Sequence, residues 1–204
     1  MMNLPILTTE SVELKEFIHF WSKFYNYPPD LERLYKDRID KSSFDADDLL
    51  QLYVWKNGMR LSGLKLKSLQ EKIISQLEVI NEFKSKDSID LDEFQSQFGN
   101  VSAVWKIFLL HIIKPKKFPI YDQHINRAYN FIHGLPYGNI SAATMSDRNK
   151  EDFYFNTYLE FIGSLDLEHA DFDLKELDEA FFSFGQFLAT NIFRKMSFEV
   201  VEGQ

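Results

Sequence analysis

The stretch from Phe98 to Gly134 restricts the fold more than any other part of the chain. It reads FGNVSAVWKIFLLHIIKPKKFPIYDQHINRAYNFIHG. From Val101 to Ile113 apolar residues surround most of the circumference of a helix, which places that helix inside the molecule; Trp105, Phe108, Leu109 and Ile112 are expected to be buried. Gly99 opens the segment and Pro115 closes it. Gly99 is expected to supply a backbone conformation that residues with a β-carbon avoid. The amides of Val101, Ser102 and Ala103 then stand at a helix N-terminus as donors for a phosphate. The helix advances roughly 18–20 Å at 1.5 Å per residue. The return from Lys114 to Tyr121 spans at most about 26–29 Å. Asp122 can therefore come back beside the turn at Gly99–Ala103 and open the next helix.

The rest of the chain is also written in helical spacing. Ser11 can cap a helix carrying Leu14, Phe17, Ile18 and Trp21 on one face, and Asp30 can cap the next. A third helix is expected from Asp45 or Asp47 to Asn57, stopped by Gly58. Leu64 to Phe83 reads as one long helix, Asp90 to Gln97 as a short one, and Asp147 to Ile162 and Leu174 to Asn191 as the last two. Leu135 to Ser146 reads as a loop. Alternating patterns are scarce, and Lys117 to Ile120 is the best extended candidate. The expected fold is all-α with at least seven helices, and 1–204 forms a single helical unit, built on one core or on two small lobes around a cleft.

Composition excludes several chemistries. The chain has no cysteine, so disulfides, zinc–thiolate sites, iron–sulfur clusters and cysteine nucleophiles are ruled out. Asp45, Asp47 and Asp48 suit a helix start better than a metal site, and no cofactor or metal is expected. Met1 to Thr9 lacks the pattern of a secretory signal, and no apolar run reaches the length of a membrane span. A cytoplasmic location and no membrane partner follow as expectations. The net charge of −8 disfavours nonspecific nucleic-acid binding by the whole surface. The window 101–134 differs: it holds five Lys or Arg against Asp122 alone, together with three of the five histidines.

Within that window, Tyr121-Asp122-Gln123-His124-Ile125-Asn126-Arg127 resembles the V-D-x-H-x-x-R pattern that follows the glycine hairpin in the helix-hairpin-helix (HhH-GPD) DNA glycosylase superfamily. The likeness covers about 35 residues, and it is to a divergent, bacterial-type member. It implies a helical glycosylase fold, DNA as partner, and a modified base flipped out of the duplex for excision. Asp122 would be the catalytic carboxylate. Gly99, Asn100, Val101, Ser102 and Ala103 would grip a phosphate with Arg127, and Gln123 and His124 would support them. Two departures matter. The family's L-P-G-V-G hairpin is reduced to Phe98-Gly99-Asn100-Val101-Ser102, and no lysine stands at 101–104, where bifunctional members carry theirs. Lys106 would point elsewhere on the helix. The resemblance thus implies a monofunctional enzyme without strand cleavage.

Each of these residues also has a plainer reading. Aspartate is a favoured helix N-cap, His124 can simply pack or orient a neighbour, and Arg127 can pair with an acid. Lys114, Lys116 and Lys117 read as a solvated loop. Tyr53, Trp55, Tyr121 and Tyr154 are candidates to hold a base, although most rings in a chain of this size must be core. An inactive nucleic-acid binder or a protein-interaction module remains the alternative to an enzyme.

Overall fold

The computed structural model describes residues 12–141 and 144–190. Among these residues every regular element is helical and there is no strand. The expected cap Ser11, the segment Met1–Thr9 and the expected end of the last helix at Asn191 lie outside them.

Helix α1 (Leu14–Trp21) runs into a 3₁₀ turn (Ser22–Phe24). Helix α2 (Pro29–Lys36) opens on a proline, which suits a position whose N–H has no helical partner. Asp30 lies inside that first turn, where its charge faces the helix dipole, rather than at the cap. Helix α3 (Ala46–Asn57) begins with a reciprocal capping box between Asp45 and Asp48 and ends at Gly58, whose φ of 71° is left-handed. The box gives two of the three clustered aspartates a structural task.

The long helix expected over 64–83 is interrupted. Helix α4 (Gly63–Lys72) stops at Ile73, whose φ of −124° leaves the helical region; a 3₁₀ turn (Ile74–Gln76) follows, and α5 (Leu77–Ser85) restarts. Ile73 is fully buried at the break, so the apolar spacing continues through it and conceals it. Helix α6 (Leu91–Gln97) is capped by Asp90. Helices α7 (Ala103–Ile113) and α8 (Gln123–Ile132) are joined by a return that begins as a tight turn: the amides of Lys117 and Phe118 both bond the carbonyl of Lys114. That turn takes in Lys117 and Phe118 of the stretch expected to be extended at Lys117–Ile120, and no strand forms there. Helix α9 (Asp147–Phe153), a π-helical turn (Tyr154–Tyr158) and α10 (Leu159–Ser164) follow without a gap, and α11 (Leu174–Leu188) has its own capping box between Asp173 and Glu176.

One cluster of buried apolar side chains extends from Ile18 in α1 to Leu188 in α11. Helix α7 lies at its centre, with Phe108, Leu109 and Ile112 fully buried. Trp105 departs from expectation: it is half-buried, its ring 5.0 Å from that of Tyr53. Lys106 is buried instead, held by Glu151 at 2.7 Å. Helix α11 packs on both α1 and α8. Its approach to α8 is very close, because a β-carbon at Gly185 would lie 1.9 Å from the carbonyl oxygen of His124. No helix among the described residues is long and apolar enough to cross a membrane.

Candidate functional site

The amide of Ala103 lies at the start of the central helix and is already occupied. It donates to Asp147 Oδ2 at 3.0 Å, from the first turn of α9. The amide of Val101 bonds the carbonyl of Phe98, and Lys72 donates to the carbonyl of Asn100 at 2.9 Å. The turn is therefore closed by the protein's own groups, with a carboxylate where a phosphate was expected. Gly99 is exposed, and only Gly58 and Gly134 among the described glycines have positive φ. The expected left-handed turn at Gly99 is not made, because the segment continues as hydrogen-bonded turns off the end of α6. Asn100 and Ser102 are exposed, while Val101 and Ala103 are buried.

Arg127 also departs from the DNA-contact reading. It is buried on the inner face of α8, where its guanidinium bonds the carbonyl of Gly185 at 2.9 Å, the carbonyl of Ile140, and His124 Nδ1 at 2.8 Å. It ties α8 to α11 and to the loop after α8 and does not face solvent. His124 is correspondingly a packing partner: its ring meets that of Phe182 edge-on, and burial pushes its pKa down despite the attraction of Asp122. Gln123 is half-buried on the first turn of α8.

Asp122 caps α8, its Oδ1 accepting from the amide of His124 at 2.9 Å. It also lines a cavity of about 1040 Å³ between α2 and α3 on one side and α8 and α11 on the other. Aromatic walls come from Tyr25, Tyr27, Tyr35, Trp55 and Phe182. None of residues 99–103 lines this space. The α7 side contributes His111, Pro115 and Lys116, from the end of the helix away from that turn. Asp122 therefore lines an aromatic cleft, whereas the turn expected to accompany it lies outside that cleft.

Of the four candidate pocket residues, Trp55 alone lines the cavity. Tyr53 and Tyr154 are fully buried, bonding the carbonyls of Trp105 and Pro119. Tyr121 is buried against Met145 and Asn126. Tyr53 and Tyr154 are thus core rings whose hydroxyls are paired with main-chain carbonyls.

Sequence reading missed three cavity groups. Lys56, from α3, donates to the carbonyl of Tyr121 at 2.7 Å; burial holds its ammonium below the usual lysine range against the pull of Asp122 and Asp178. Asp178, from α11, is 6% exposed and accepts at Oδ2 from the amide of Ile120 at 2.8 Å; Oδ1 makes no bond of good geometry, and the Tyr158 hydroxyl stands beside the carboxyl. Burial pushes its carboxyl up to about 8, outweighing the Ile120 amide and the attraction of Lys56. His111 is buried between the carbonyl of Phe118 at Nδ1 and the hydroxyl of Tyr35 at Nε2, both at 2.7 Å, and burial lowers its pKa to about 4. A signal for two of them exists in the sequence. Asp178 falls on the stripe Leu174, Leu177, Phe181, and Lys56 continues the stripe Leu49, Leu52, Tyr53. A charge on an apolar face needs a partner or a purpose.

No known family, curated protein or solved structure matches this chain. The likeness to the DNA glycosylases thus rests on the sequence of residues 98–132 alone.

Proposed function

We propose that this chain is a monofunctional N-glycosylase that removes a modified base held in the cavity beside Asp122. The observation that carries the reading is the placement of the Asp122 carboxylate, at a helix N-cap, on the wall of a 1040 Å³ cavity lined by Trp55 and tyrosines. A base flipped into such a space stacks between rings. The carboxylate stabilises positive charge on the sugar as the N-glycosidic bond breaks, water takes the sugar carbon, and the base leaves. The strand is not gripped by the turn at Gly99–Ala103 or by Arg127. Lys116, exposed at the cavity, is the basic side chain placed to meet a phosphate, since Lys36 and Lys175, also exposed there, lie against Glu32.

The test is excision from duplexes carrying alkylated, oxidised, deaminated or hypermodified bases, developed by hot alkali. Wild type is expected to leave abasic sites in at least one. Asp122→Asn is expected to lower the rate by about 10²–10³, the size of one lost transition-state electrostatic contact, with the fold retained because asparagine also caps. Equal rates would reduce Asp122 to a cap.

The seating of Asp147 on the Ala103 amide favours a second reading, an interaction module without nucleic acid. It predicts no salt-dependent binding to single- or double-stranded DNA.

A further inference from the structure

The direction of each hydrogen bond around the cavity determines what it can recognise. A main-chain carbonyl can only accept, so His111 Nδ1 carries the proton shared with Phe118, and the neutral ring leaves Nε2 bare. Tyr35 must then donate to Nε2 and offers the cavity only oxygen lone pairs. Tyr27 donates to the carbonyl of Trp55, the Trp55 indole N–H donates to Glu32 at 3.1 Å, and Lys56 donates to the carbonyl of Tyr121. Lys36 and Lys175 lie within ion-pair reach of Glu32, at 3.7 and 3.6 Å, and Lys175 is also 2.6 Å from Glu179. Tyr25 retains a hydroxyl proton, and Lys116 stands at the rim. Against these donors the lining presents phenol oxygens, aromatic faces and six carboxyl groups to four lysines. One of the carboxyls, Asp178, is more than nine-tenths buried at the cavity wall, one oxygen on the Ile120 amide and the Tyr158 hydroxyl beside the carboxyl.

From this lining we infer that the cavity binds a flat heterocyclic cation bearing N–H donors, held between the rings of Trp55 and the tyrosines and neutralised by Asp122 and Asp178. Rings attract a cation placed over their faces, and an acceptor-rich wall leaves a donor-rich ligand fully paired while stranding a carbonyl-rich one. The inference rests on this cavity being the ligand site of the proposed function, but not on any chemistry there.

The probes are 1-methylnicotinamide, a permanent flat cation with an amide N–H₂, its neutral counterpart nicotinamide, and uracil, measured by calorimetry on the full chain. The cation is expected to bind about tenfold tighter than nicotinamide at pH 7, with uracil weakest. Affinity for the cation should rise by about fivefold between pH 6.5 and 8.5 as Asp178 ionises. Asp178 is flanked by Lys56 from α3, Glu179 on its own helix, Tyr158 from the π turn, and Tyr25 and Tyr35 from the segments around α2. The phenols stay neutral over this range. In Asp178→Asn the pH dependence should vanish while the preference for the cation over nicotinamide persists through Asp122. A rise that persists in this variant would belong to Lys56 and would remove Asp178 from the site. Equal affinity for cation and neutral form in wild type, or binding of neither, overturns the inference. Failure to excise any base with the cation preference intact would sink the glycosylase reading alone.

Discussion

Asp178 illustrates how one side chain can serve a site at the expense of the fold. Its carboxyl is inside the protein, and water would solvate it better in the unfolded chain. The folded-state pKa of about 8 stands above the ordinary 3.8. The native state therefore binds more protons than the unfolded state between those values, and Asp178 subtracts stability as pH rises through that window. Asp178→Asn keeps an acceptor for the Ile120 amide and has no charge to bury. It is expected to stabilise the protein by roughly 1–3 kcal/mol, the range for relieving an ill-partnered buried polar group. The gain should be larger at pH 8.5 than at pH 5 in urea denaturation. A variant less stable than wild type at both pH values would show that the carboxylate is better solvated than its surroundings indicate.

At the scale of elements, α8 is the piece on which everything else is set. Its first residue follows Asp122, its inner face carries Arg127, and α11 crosses it at Gly185. A methyl group at 185 would meet main chain, which cannot swing aside as a flexible side chain can. Gly185→Ala is expected to cost at least about 3 kcal/mol, the top of the usual overpacking range, and to loosen the Arg127 contacts with α11; thermal denaturation and hydrogen exchange of α8 amides would show it. The helices themselves were legible in the sequence wherever a cap or a stop was written locally, as at Asp45, Gly58, Asp90 and Asp122. Ile73 was not, because a break that preserves apolar spacing leaves no trace in periodicity. The site was half legible. Asp122, singled out by its motif, and Trp55, singled out by its ring, both line the cavity. Asp147 was read only as a helix start, although it fills the Ala103 amide from 44 residues away. Arg127 turns inward because its acceptors are carbonyls of Ile140 and Gly185, and no local pattern announces such partners.

For the molecule as a whole, two buried titrating groups bend the pH dependence of stability in opposite directions. His111 is held neutral with a folded pKa of about 4, below the ordinary 6.5. The unfolded state binds more protons between these values, so stability from this group is present above pH 6.5 and lost as pH falls toward 4. Asp178 slopes the other way from 3.8 to about 8. Between pH 4 and 6.5 Asp178 opposes His111 and also His124, whose pKa burial lowers as well, so no decline is expected there. Above 6.5 the histidines contribute no further slope and Asp178 makes stability decline, until Lys84, whose pKa burial lowers to about 8, begins to offset it. Denaturation midpoints rising steadily from pH 6.5 to 8 would contradict this pairing.

Helix α11 lies against α1 and against α8, two helices separated in the chain by most of the described residues. During synthesis, then, α1 and α8 both emerge from the ribosome before the helix that covers their apolar faces. The core cannot close in the order in which it is made. A nascent chain stalled before Leu174 should expose the rings of Phe17, Trp21 and Phe131, which contact Phe184 once α11 is in place, and should depend on chaperones for as long as it waits.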